Sequence, residues 1–110
     1  MASSWAYIYE HPGTDPVVDR RVIDRDGQRT ALVPVPEASD APAVARELVA
    51  SGVELIELCG GFDVGTVARV VDAVDGTVPV GHVSFGFESI TGAAAYKERW
   101  EQAAAEPRSR

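Results

Sequence analysis

The chain has 110 residues, 45% of them hydrophobic and 25% charged, enough for one soluble domain that buries roughly two-thirds of its unfolded surface without a disulfide or metal staple. Ten Lys plus Arg against 17 Asp plus Glu leave a net charge of -7, the wrong sign for neutralising DNA or RNA phosphates or for lying on an anionic membrane. A single cysteine, Cys59, excludes an internal disulfide and a multi-cysteine zinc site. With neither a signal-peptide stretch nor an apolar run of the ~20 residues that span a bilayer, the expected location is the cytoplasm.

Trp5-Ala-Tyr-Ile-Tyr-Glu10 is aromatic and β-favouring, and His11-Pro-Gly13 ends it as a first strand. Asp15 as N-cap and Pro16 at the first helical position predict a short helix that carries Val18 and Val22 and stops at Asp26-Gly27. Thr30-Ala-Leu-Val-Pro-Val35 is a second strand, placed at a sheet edge because Pro34 has no amide to donate. Asp40 and Pro42 open a helix whose apolar stripe of Val44, Ala45, Leu48 and Val49 ends at Gly52. Val53 to Cys59 is a third strand closing on Gly60-Gly61. Asp63 then caps a helix with Val64, Val67, Ala68, Val71 and Val74 at helical spacing, ended by Gly76. Val78 to Phe85 is a fourth strand, and Ser89 caps a final helix with Ala93, Tyr96, Trp100 and Ala103 or Ala104 on one face. Residues 106–110 are expected to fray, leaving a single domain over 1–105.

Helices alternating with short apolar strands mean a parallel sheet with right-handed crossovers. The expected fold is α/β, an open parallel four-stranded sheet of flavodoxin-like order 2-1-3-4, with a two-layer half-barrel of βα repeats as the other arrangement. Such a sheet leaves edges and apolar surface uncovered, so a homo-oligomer is expected. Tyr96 and Trp100 are candidates for its contact, unless Trp100 covers the sheet of its own chain.

Ligands of open α/β sheets bind beyond the carboxyl ends of the strands, where strand order reverses. Glu10 and His11 end the first strand, Glu57 and Cys59 the third, and His82 and Ser84 lie in the fourth, so these residues are expected on one rim. Cys59 precedes a helix N-terminus whose positive end favours a thiolate, with His82 or His11 as proton carrier and Glu10 or Glu57 orienting the imidazole. The competing reading makes Cys59 a small buried hydrophobe. Glu57 interrupts Leu55-Ile56 and Leu58, and is either a general acid or base or a hydrogen-bonded anchor for the loop after the first strand. Gly60-Gly61 resembles a phosphate-cradling turn, but it lacks the G-x-G-x-x-G pattern and a P-loop lysine, and Asp63 repels anions there. No cofactor and no metal are expected. Trp5, Tyr7 and Tyr9 share one strand face and are expected in the core, with only Tyr9 near enough to the rim to meet a ligand.

Trp5-Ala-Tyr-Ile-Tyr-Glu10, Pro12-Gly-Thr-Asp-Pro16, Val53-Glu-Leu-Ile-Glu-Leu-Cys-Gly-Gly-Phe62 and Val78-Pro-Val-Gly81 together resemble a family of short bacterial proteins with a domain of unknown function. The resemblance spans about residues 5–85 and is most specific at Glu57-Leu-Cys-Gly-Gly-Phe62. It marks Cys59, Gly60 and Gly61 as a shared feature and implies no reaction. The expected function is binding of a small metabolite at the rim, with isomerase, lyase or hydrolase chemistry through acid/base or thiol groups. The alternative is a noncatalytic module that assembles with itself or with a larger bacterial enzyme.

Overall fold

The computed structural model describes residues 3–106; the tail expected from residue 106 lies, from 107 onward, outside the described residues. Five strands form one sheet, β1 (Ser3–Glu10), β2 (Arg21–Arg25), β3 (Gln28–Val35), β4 (Ile56–Leu58) and β5 (Val80–His82), in the order β2-β3-β1-β4-β5. The three helices are α1 (Ala41–Ala50), α2 (Val64–Val74) and α3 (Phe87–Ala105). The protein is therefore α/β with a mostly parallel sheet: β3, β1, β4 and β5 run parallel, and only β2 is antiparallel, to β3.

The strand count corrects the expected four, and the reason lies between residues 15 and 27. Asp15 does cap, its Oδ1 accepting from the amides of Val17 at 2.8 Å and Val18 at 2.9 Å. The helical bond from the Asp19 amide to the Asp15 carbonyl closes one turn, and the chain then leaves as β2. Asp26-Gly27 does not stop a helix. Both residues have positive φ, 55° and 79°, the conformation of a two-residue hairpin turn, and it joins β2 to β3. The β-branched pair Val22-Ile23 suits a strand better than a helix. The same hairpin corrects the placement of β3, which is interior. Pro34 is tolerated because β2 ends opposite Leu32, so at Pro34 the outer side of β3 has no neighbour needing an amide.

One face of the sheet carries the core. Ala6 and Ile8 of β1, Ala31, Val33 and Val35 of β3, and Ile56 and Leu58 of β4 are buried there under Ala41, Ala45 and Leu48 of α1 and Val70 and Val74 of α2. The alternate residues point to the other face, which none of the helices covers. Register places Trp5 beside Thr30 and Tyr7 between Leu32 and Glu57, with Ile23 and Arg21 on the far sides of Thr30 and Leu32, and Glu57 beside Gly81 on that open face. Helix α3 follows β5 and buries none of its residues. Among the described residues no helix is long and apolar enough to cross a membrane.

Candidate binding site on the open face of the sheet

Parallel pairing of the two central strands brings Tyr7 and Glu57 side by side. Cys59, one step beyond β4, is half-buried and held by its amide on the Ile8 carbonyl at 3.0 Å. Its thiol neighbours the Tyr7 phenol, whose pKa is pushed up to about 12, first by burial, then by the contact with Cys59 and the negative charge of Glu57. Tyr9 stacks on Tyr7 with ring centroids 6.0 Å apart and planes at 25°. On the other side of Glu57 stands Gly81, where an added Cβ would come 3.9 Å from the Glu57 Cγ. The missing side chain leaves an open depression of about 380 Å³ lined by Leu55, Glu57, Pro79, Val80, Gly81, His82 and Val83. Glu57 thus stands exposed between an aromatic pair and a shallow apolar hollow.

The other rim residues are distributed differently. His82 lies opposite Leu58, on the helix-covered side, and its Nε2 is 3.0 Å from the Phe62 carbonyl. A carbonyl only accepts, so Nε2 carries the proton, and the ring ties β5 to the loop before α2. Glu10 also lies on the helix side, near Glu37. Its carboxyl is held above the usual range, first by burial and then by the Glu37 charge, while the Ala38 amide pulls it back. His11 is exposed in the turn after β1, its Nδ1 3.1 Å from the Pro12 carbonyl. Ser84 is exposed in the connector to α3. The structure therefore brings Glu57, Cys59 and Tyr9 together on the open face and separates them from Glu10 and His82. Among the described residues no three His, Cys, Asp or Glu side chains converge as metal ligands.

The glycine pair divides its work. Gly60 packs under the connector, where a Cβ would meet the Val83 carbonyl oxygen at 2.9 Å. Gly61 has only the Cys59 sulfur nearby, at an ordinary 3.8 Å. The N-terminus of α2 beyond them is filled by its own chain: Asp63 Oδ1 accepts from the Thr66 amide at 2.8 Å, which holds its carboxyl below the usual range. An incoming anion would compete with that carboxylate.

Two members of this cluster were legible in sequence only through parity. Tyr7, expected in the core, shares odd-numbered strand positions with Tyr9, Glu57 and Cys59. Gly81 gains meaning only from the register that sets it against Glu57.

These features define a small α/β protein with helices on one sheet face and a polar-aromatic cluster on the other. The chain belongs to the family of unknown function DUF6506, whose model matches residues 3–98. Neither the curated proteins nor the solved structures contain a match.

Proposed function

We propose that this protein binds a small neutral or cationic metabolite, one with a planar unsaturated or carbonyl-bearing portion, on the open face around Glu57. The observation that carries the reading is the position of Glu57: a solvent-facing carboxylate on a central strand, between the Tyr7 phenol and the space left by Gly81. The parallel strands run in the order β3-β1-β4-β5, and ligands of open α/β sheets bind where the strand order reverses; here that point falls between the ends of β1 and β4, beside Tyr9 and Cys59. No Lys or Arg lines the hollow beside Glu57, and the Glu57 carboxylate repels an anionic ligand there.

The chemistry this arrangement favours is acid/base. Glu57 takes a proton from carbon beside a carbonyl, the electron pair moves onto the carbonyl oxygen, and the Tyr7 hydroxyl donates a hydrogen bond to that oxygen. Returning the proton to another carbon completes an isomerisation; expelling a leaving group from the neighbouring carbon completes an elimination. Cys59 supplies a nucleophile for the hydrolytic variant. The second reading, a noncatalytic self-associating or accessory module, is supported by the openness of the face.

Thermal-shift measurement with small neutral carbonyl compounds, amides and amines tests the proposal, together with iodoacetamide labelling of Cys59. A compound that raises the melting temperature of the wild type, not of Glu57→Gln, and slows labelling supports it. No shift across the panel, with Cys59 labelled only after denaturation, favours the noncatalytic reading.

A further inference from the structure

We propose that two copies of this chain form a reciprocal dimer in which α3 of each lies across the open, aromatic sheet face of the other. The inference stands on packing and holds whatever the face binds. Among the described residues two surfaces carry no helix packed on them: the face presenting half-buried Trp5, Tyr7, Tyr9 and Leu32 with exposed Ile23, and a helix of 19 residues with nothing fully buried. Helices in proteins draw most of their stability from packing an apolar face against a partner. The stripe of Ile90, Ala93, Tyr96 and Trp100 on α3 is such a face, with Ile90 and Tyr96 exposed and Ala93 and Trp100 half-buried.

The chain cannot use α3 to cover its own sheet in this conformation. Val83 is fixed to β4 through its amide on the Leu58 carbonyl, and Gly60 seats the connector beneath it. Helix α3 begins at Phe87, only four residues after that anchored point. A second copy has no such restriction.

Size and charge fit that occupant. Helix α3 is ~28 Å long at 1.5 Å per residue, and the eight-residue β1 is ~26 Å at 3.3 Å per residue. Laid on the sheet at a width of ~10 Å, one helix covers ~280 Å² on each surface, and two exchanged helices together remove about 1,100 Å² from solvent, within reach of the ~1,000 Å² that marks a specific interface. The strands present Arg21 and Arg25 against one carboxylate, Glu57, on this face, whereas α3 carries Glu88, Glu98 and Glu101 against Lys97 and Arg99. Reciprocal contact of helix with sheet also gives the two-fold, self-complementary interface usual in homodimers.

Sedimentation equilibrium of the full chain at tens of micromolar is expected to show a dimer, and Trp100→Ala combined with Tyr96→Ala to weaken it at least tenfold without loss of helical circular dichroism. Ile23→Glu, on the opposite surface of the proposed contact, is expected to do the same. For connectivity, chains with Cys59→Ser and Ile23→Cys are mixed with chains carrying Cys59→Ser and Ala93→Cys, then oxidised; a disulfide-linked heterodimer is expected. A wild-type monomer overturns the proposal. So does a dimer unaffected by any of these substitutions, which would place the contact at the sheet edges, and so does an intrachain bridge when both cysteines are put in one chain and diluted.

Discussion

Gly60 lies so close beneath Val83 that a Cβ at position 60 would stand 2.9 Å from the Val83 carbonyl oxygen and 3.3 Å from the Phe85 ring. Backbone against backbone leaves nothing flexible to yield. Gly60→Ala is expected to destabilise the fold by about 1–3 kcal/mol, the usual cost of overpacking, whereas Gly61→Ala, with only the Cys59 sulfur in ordinary contact, is expected to cost far less. Urea unfolding midpoints at constant slope measure the difference.

The β2-β3 hairpin rests on Asp26 and Gly27, both at positive φ. Gly27→Ala forces a Cβ into the left-handed region and is expected to cost roughly 1 kcal/mol. Because β2 has no buried residue, the loss should appear as faster amide exchange in residues 21–32, with the central strands little changed. Uniform loss of protection would show that the hairpin is integral to the core.

Tyr7 is expected to titrate late. Its phenol is raised from the ordinary 10.0 to about 12, so the folded state holds this proton more tightly than the unfolded chain does. The associated stability is complete below 10, and is lost as pH rises through about 12. Phenolate absorbance should therefore show one late tyrosine, absent in Tyr7→Phe, and alkaline unfolding should be less steep in that variant. A late step that persists in Tyr7→Phe, or no late step in the wild type, would contradict the assignment.

Glu10 gives a pH dependence at the other end. Burial and the Glu37 charge raise its carboxyl above the ordinary 4.5, so the proton stabilises the folded state. That contribution is fully present below 4.5 and is lost as pH rises through the raised folded value. Glu10→Gln is expected to match or exceed the wild-type melting temperature at neutral pH and to lose its advantage in acid. Thermal melts across that range read the crossover directly; a variant less stable than wild type at neutral pH would show that the Ala38 amide outweighs the repulsion.

The sequence specified the parallel strands through β-branched and aromatic runs ended by Gly or Pro, and α1 and α2 through apolar spacing with Asp63 as a working cap. It misled between residues 15 and 27, where sound capping chemistry at Asp15 supports only one turn and an Asp-Gly pair reads equally as a helix stop or a hairpin. The face to which a strand residue points was recoverable from parity, as Tyr7, Glu57 and Cys59 illustrate. Which face the helices would leave bare was not, because that depends on how distant segments connect. His82 shows the same limit: its tether to Phe62 follows from the bend of a loop twenty residues away in sequence.

The hairpin has a topological consequence. In a right-handed crossover, the side of the sheet that receives the connection depends on the direction in which the chain steps along it. The passages from β3 to β4 and from β4 to β5 step one way and deposit α1 and α2 on the same side. The passage from β1 to β3 steps the other way, and a helix there would land on the opposite side, completing a three-layer molecule. This chain makes that step with a single turn and β2, which lies in the plane of the sheet. The aromatic surface lies where a crossover helix between β1 and β3 would pack, and the hairpin leaves that side of the sheet without a layer from residues 11–27.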